Sequence, residues 1–212
     1  MSEAPGYYTQ SRSDLAEFIL AHCLRRGKLL DVGCAEGVLG RTLLSSGFAE
    51  VVGVEPVEQV AAVAAQRLSH VIVGSFPDAG VVRRAPYDHI LFSDSLEHLS
   101  DPWEALREAR RLLAPGGELI LSVPNVSHFS VAIELARGRW TYTDAGFLDR
   151  SHLRFFTPSS LQSLLCETGF TTSASLYLRL PPRRRYRVLE IATRRFAPHL
   201  FVRHVYVVAR AS

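Results

Sequence analysis

The sequence predicts an α/β fold built on a doubly wound, mainly parallel sheet. Three observations carry this. Short apolar runs alternate with helical patterns along most of the chain, which is the signature of βαβ units. A turn with two glycines, "GCAEG" at 33–37, follows the first run and opens the next helical pattern. The composition, 47% hydrophobic and 21% charged over 212 residues, suits one globular domain spanning 1–212 and argues against disorder.

In chain order, "FILAHCL" (18–24) follows Ser13-Asp14, a helix cap pattern. "KLLDVG" (28–33) reads as a buried strand and "VLGRTLLSSG" (38–47) as a helix ending near Gly47. "VVGVEP" (51–56) is a strand closed by Pro56, and the alanine-rich "VEQVAAVAAQRL" (57–68) is helical. "HVIVGS" (70–75) and "YDHILFSD" (87–94) are the next strands. "DPWEALREARRLLAPGG" (101–117) carries an Asp101 cap, Pro102 in the first turn, a Glu104–Arg107 pair and a Pro-Gly-Gly stop. "ELILSVPN" (118–125) is a strand, and "TPSSLQSLLCETGF" (157–170) repeats the cap-Pro-helix-Gly design. "SASLYLRL" (173–180) and "RHVYVVARA" (203–211) are late strands. Two segments fall outside the pattern: 126–156 and the arginine-rich 181–199.

Several classes are disfavoured. Cys23, Cys34 and Cys166 are odd in number and far apart, so neither a disulfide framework nor a metal site is expected. The first residues lack the apolar stretch of a secretory signal, and no apolar run approaches the roughly 18 residues of a spanning helix. A cytoplasmic protein without membrane insertion is the expectation. The net charge of +3 is mild. Arg183, Arg184, Arg185, Arg187, Arg194 and Arg195 account for more than all of it. They could meet an anionic acceptor, but a solvated helix face is the commoner fate of such runs. Aromatic platforms are not interleaved with them, so nucleic-acid binding is not expected.

The turn at 33–37 occupies the place where open α/β sheets bind ligands, beyond the carboxyl end of a strand. Glu55 ends the second strand 18 residues past Gly37, where an acid accepts hydrogen bonds from ribose hydroxyls. The pattern predicts an adenosine-containing ligand; the plainer alternative is a turn that only closes a βα unit. A dinucleotide would lay phosphates against a G-x-G-x-x-G helix start. Here Ala35 replaces the middle glycine, and Asp31 and Glu36 bring carboxylates nearby. Those acids suit a sulfonium and an ammonium, which points to S-adenosylmethionine.

Taken together, "LLDVGCAEGVLG", "VVGVEP" and "YDHILFSDSLEHLSDPWEALREARRLLAPGGELILSVPN" resemble the class I S-adenosylmethionine-dependent methyltransferases. The resemblance runs in motif order from about Tyr7 to the C-terminus. It implies a Rossmann-like seven-stranded sheet whose last strand inserts antiparallel. It implies that Asp31, Gly33, Cys34 and Gly37 surround the methionine part of the cofactor and that Glu55 holds the ribose. Pro56, Ser75 and Phe76 would border the adenine, although the family often has Asp where Ser75 stands. Ser93 and Asp94 would lie under the sulfur. Ala35 stands where glycine is more usual, one extra methyl group.

For the acceptor, His98, His128 and His152 are the candidate bases, with packing or capping the competing role for His98. Residues 124–161 mix polar groups with aromatics, as small-molecule pockets do; a structural ion network is the alternative. Asn125, Trp140, Asp149 and Arg154 are the acceptor-binding candidates in this segment. Residues 1–27 resemble a lid with its helix, in which Tyr8 and Arg12 would touch cofactor or acceptor; a frayed terminus is the alternative. "LDRSHLRFFT" resembles bacterial methyltransferases of glycan or secondary-metabolite pathways, implying O-methylation of a small or sugar-like acceptor. The alternatives are N- or C-methylation, a nicotinamide-dependent oxidoreductase, and an inactive methyltransferase-like binding module. Monomer and homodimer both remain open.

Overall fold

A computed structural model describes residues 12–179, 191, 193 and 195–212. Tyr8, the lid segment before Arg12, and Arg183, Arg184, Arg185, Arg187 and Arg194 lie outside the described residues.

The strands are β1 (Lys28–Val32), β2 (Glu50–Glu55), β3 (His70–Val73), β4 (Tyr87–Ser93), β5 (Leu113–Pro124), β6 (Phe170–Arg179) and β7 (Val202–Ala211). The helices that lie wholly among the described residues are α1 (Ser13–His22), α2 (Val38–Ser45), α3 (Glu58–Ala64), α4 (Ala79–Arg83), α5 (Pro102–Leu112), α6 (Phe129–Ala136) and α7 (Pro158–Glu167). The seven strands form one sheet in the order β3-β2-β1-β4-β5-β7-β6. The first five run parallel, and β7 pairs antiparallel with both β5 and β6. The order reverses between β1 and β4, and the crevice at such a switch point is where ligands bind.

The apolar runs are explained by burial on both faces. Leu30, Val52, Ile90, Leu119 and Leu121 face one layer, under Leu106, Ala109 and Leu112 of α5 and Leu161 and Leu165 of α7. Leu29, Val51, Leu91 and Ile120 face the other, under Leu15 and Ile19 of α1, Leu43 of α2 and Ala64 of α3. Period-2 alternation of side chains thus feeds two cores.

The caps read from sequence at α5 and α7 are present. Asp101 accepts from the Glu104 N–H at 3.0 Å, with Pro102 in the first turn. Thr157 and Ser160 form a reciprocal capping box. At α1 the expectation fails. Arg12, in a left-handed conformation, occupies the cap position without a side-chain cap bond, and Asp14 instead accepts from the Tyr206 hydroxyl at 2.5 Å. The Pro-Gly-Gly after α5 does not separate helix from strand; β5 already begins at Leu113, with an irregular register opposite Tyr87 and His89. Helices α4 and α6 have no counterpart in the sequence reading. The first has only five residues. The second, FSVAIELA, has eight residues and buries only Val131, and it lies in the 126–156 segment that falls outside the strand–helix alternation. Among the described residues, no helix is long and apolar enough to cross a membrane.

Candidate active site

A cavity of about 680 Å³ opens at the switch point. One wall is the turn after β1. Gly33 and Cys34 donate their N–H groups to the Val54 carbonyl at 2.9 and 3.1 Å, tying the turn to β2. Gly33, Ala35 and Gly37 all have positive φ, at 75°, 48° and 75°. A Cβ at Gly33 would stand 2.8 Å from Ser95 Cβ, so glycine is required there by space as well as by conformation. Ala35 is in the left-handed region, which favours glycine. The departure at this position therefore acts through the backbone rather than through the volume of one methyl group.

Glu55 is buried, and its two carboxylate oxygens accept from the Ala35 and Val57 N–H groups at 3.1 and 3.0 Å. It clamps the turn to the end of β2, a role that the ribose expectation did not include. Each of its oxygens has capacity for further hydrogen bonds. Asp31 lines the same wall, and its Oδ1 is buried without a hydrogen-bond partner. Burial, then the negative Glu55, pushes its carboxyl up to about 7. Glu36 does not belong to this wall. Its carboxylate pairs with Arg67 at 3.0 Å, so the acids that this wall turns to the cavity are Asp31 and Glu55 rather than Asp31 and Glu36. Cys34 lines the cavity as a protonated thiol, its pKa raised by burial and then by Asp31 and Glu55. Pro56, Ser75 and Phe76 continue the wall, and Phe76 stacks edge-on against Phe92 at 5.4 Å.

The floor is the end of β4. Asp94, at φ 49°, lies beside Ser93. It accepts from Ser122 Oγ at 2.6 Å, pairs with Arg12, and stands 3.5 Å from His204 Nε2. Burial alone would raise its carboxyl; the hydrogen bond from His204 and the charge of Arg12 overcome burial and hold it at about 2. Arg12 also donates to Ser122 Oγ and Tyr206 Oη at 2.8 and 3.2 Å. Arg12 thus lines the cavity as part of an ion pair. Sequence reasoning missed His204 and Tyr206, because they lie on the last strand and carry no motif.

The far wall joins the 3₁₀ turn Leu96–His98 to the connection after β5. Leu153 and Arg154 both donate N–H groups to the Glu97 carbonyl, at 2.9 and 3.0 Å. This brings His98 and His152 to a ring separation of 4.9 Å, nearly perpendicular. Both line the cavity, with Glu97, Asp149, Phe147, Arg203 and His204. Burial, then the neighbouring His98, lowers the His152 pKa. Asp149 accepts from the Ser151 N–H and hydroxyl at 2.8 and 2.6 Å.

Four of the residues read from sequence as acceptor-side candidates do not line the cavity. His128 caps α6 and stacks on Phe147 at 4.9 Å. Burial, then Arg203, lowers its pKa to about 4. Asn125 is fully buried, donating to the His199 and Val202 carbonyls and accepting from Ser127. Trp140 packs edge-on against Phe155, 5.3 Å away. Arg154 turns its guanidinium to the Ser100 carbonyl. Each satisfies backbone carbonyls or aromatic packing, which a one-dimensional pattern of polar and aromatic residues does not separate from pocket lining.

Comparison with known proteins identifies the family and the fold. The sequence profile of a methyltransferase domain matches residues 6–175. The chain belongs to that family. The chain is 30% identical over 157 residues to the ubiquinone biosynthesis O-methyltransferase of Vibrio vulnificus, matching 68% of the chain and 66% of that relative. The match to the Ruegeria pomeroyi protein of the same name is 32% over 153 residues, 67% of the chain and 59% of the relative. The chain therefore spans just under two thirds of the first relative and less of the second. Among solved structures, the CcbJ methyltransferase of Streptomyces caelestis superposes with a TM-score of 0.68 at 19% identity, covering all of both chains. A SAM-dependent methyltransferase from Archaeoglobus fulgidus gives 0.67 at 17%, covering 96% of each. These two likenesses establish the shared fold.

Proposed function

We propose that the chain, acting as one catalytic domain, transfers a methyl group from S-adenosylmethionine to a hydroxyl oxygen of a small-molecule acceptor. The observation that carries this is the pair of buried acids, Asp31 and Glu55, on the turn wall of a single cavity whose opposite wall holds two histidines. The orphaned Asp31 Oδ1 is a buried acceptor in want of a donor or a cation. The ammonium of the methionine moiety answers that need; a pyrophosphate would be repelled. Glu55, fixed by two backbone N–H groups, is aimed to accept ribose hydroxyls. Pro56, Ser75 and Phe76 supply the mixed surface that an adenine requires.

When bound, the cofactor supplies a methyl group activated by positive sulfur. The residues of the chain orient and desolvate. Ser93 and the Asp94–Arg12 pair form a polar floor between the two walls. Asp149, His98 and His152 face the acceptor, so that its oxygen is aligned for in-line displacement. The names of the two curated relatives above, both O-methyltransferases, support a hydroxyl over a nitrogen or carbon acceptor.

The test is direct. S-adenosylhomocysteine titrated into the protein should bind with one-to-one stoichiometry in calorimetry and raise its melting temperature by several degrees. NADH should give neither effect. Incubation with S-adenosylmethionine and a panel of phenolic and sugar hydroxyls should yield a product heavier by one methylene. Binding of NADH in place of S-adenosylhomocysteine would overturn the cofactor assignment.

A further inference from the structure

We propose that Arg203 is an anion-recognising residue of the acceptor site, so that the acceptor carries a carboxylate or phosphate besides the hydroxyl that receives the methyl group. The proposal rests on the methyl-transfer reading above. Arg203 is the second residue of β7 and lines the cavity beside Phe147 and His204. Its backbone is fixed there. Strand β7 runs antiparallel to β5, so its first residues stand at the carboxyl end of β5, with His204 opposite Pro124. The buried Asn125 locks this junction. Its N–H donates to the Arg203 carbonyl at 2.8 Å, and its side-chain amide donates to the His199 and Val202 carbonyls at 2.9 and 2.8 Å. Asn125 does not line the cavity, but it sets the strand start that does.

The side chain is placed by an aromatic contact. The Arg203 guanidinium lies over the Phe147 ring, 5.8 Å from its centre. A guanidinium over a ring uses its face, and its five N–H donors point outward from the edge. Among the described residues, no hydrogen bond or ion pair takes up those donors. The acids on this side of the cavity are already committed. Asp94 holds Arg12 and stands beside His204. Asp149 accepts from the N–H and hydroxyl of Ser151. Burial, then Asp94, favours the protonated and neutral form of Glu97. His128, stacked on Phe147, is neutral as well, because burial and then the Arg203 charge lower its pKa to about 4. The positive charge of this corner is therefore that of the guanidinium.

Arg203 is half-buried, and a charge drawn from water calls for a partner of opposite sign. Its planar fork matches a carboxylate or a phosphate through two parallel hydrogen bonds. An anion clamped there fixes one part of the acceptor. The hydroxyl elsewhere on the molecule is then oriented for in-line displacement.

The experiment uses the full chain saturated with S-adenosylhomocysteine. Hydroxyl compounds matched except for one anionic group are titrated by calorimetry: 4-hydroxyphenylacetate against 4-ethylphenol, and glucuronate and glucose 6-phosphate against glucose. In at least one pair the anionic member should bind about tenfold tighter or more, and added NaCl should shrink the difference. The carboxylate and phosphate arms tell which oxyanion the site takes. Arg203→Gln should erase the preference. Arg203→Lys keeps the charge but loses the fork, so its preference should fall below that of wild type. Melting curves identify any variant that fails to fold, and the lysine variant carries the comparison if the glutamine variant does. Equal binding within every pair, binding of neither member, or a preference undiminished in a folded variant overturns the proposal. S-adenosylhomocysteine binding is measured first on each sample. If it binds and no preference appears, only the anion subsite falls; if it does not bind, the methyl-transfer reading falls and takes the subsite with it.

Discussion

At one end of the cavity, the wall comes from Asp31 through Ala35 and from Glu55, two strand ends that lie side by side in the sheet and close in sequence. At the other, Glu97 and His98 meet residues 145–152 and 203–204, segments far apart in the chain. The first wall is held by backbone geometry: three positive-φ residues and the carboxylate of Glu55. The second is held by side chains and by hydrogen bonds between irregular segments. A ligand common to a whole family can be bound by features that every βαβ unit supplies. An acceptor peculiar to one protein needs a surface that loops can vary without disturbing the sheet.

The largest expected effect breaks the turn wall. Glu55→Ala removes two hydrogen bonds to a buried charged group together with the proposed ribose contact. Cofactor affinity should fall by roughly 10- to 100-fold, corresponding to about 1.5–3 kcal/mol. Calorimetry with S-adenosylhomocysteine measures it, and unchanged affinity would remove the ribose role. The floor between the walls should show in acid. Asp94 is held at about 2, below its value of about 3.9 when unfolded, so its interactions stabilise the fold above pH 4 and are lost as pH falls from 4 towards 2. The size is on the order of 2 kcal/mol. Urea melts across this range should show the loss in wild type and a flatter profile in Asp94→Asn.

Asp31 works in the opposite sense. Its folded carboxyl is raised to about 7, so folding favours the protonated form, and that contribution fades as pH rises from 4 to 7. If the ammonium needs the ionised form, cofactor affinity should increase about tenfold between pH 6 and pH 8. Asp31→Asn should abolish this dependence, and a wild-type profile that stays flat counts against the contact. The smallest effect sharpens the acceptor side. His128→Ala, which removes a helix cap and the stacking on Phe147, should lower stability by about 1 kcal/mol and leave S-adenosylhomocysteine affinity as it was. A large loss of affinity would return His128 to the site.

Legibility in the sequence followed the same division. The strands, the capped helices α5 and α7, the turn glycines and Glu55 could all be found from local patterns, because a buried parallel strand must be apolar on both faces and a turn at positive φ selects glycine. Glu36 was misplaced, because nothing local reveals that its carboxylate reaches Arg67. His98, His128 and His152 were indistinguishable as letters. Only the segment pinned to the Glu97 carbonyl brings His98 and His152 together, while His128 is used by the start of α6. Arg12 was read as a ligand contact; it lines the cavity in an ion pair with Asp94, a partner that nothing local in the sequence reveals.

By itself, then, the sequence determined the α/β class, the alternation of elements, and the acid–glycine turn with its partner acid on the next strand. Each of these depends on interactions within one βαβ unit. The tertiary structure alone decided which buried carboxyls lack partners, which histidines face the cavity, and that the last strand delivers His204 and Tyr206 beneath it. Those depend on burial and on contacts between distant segments, where the surroundings of a side chain, and not its neighbours in the chain, set its charge and its use.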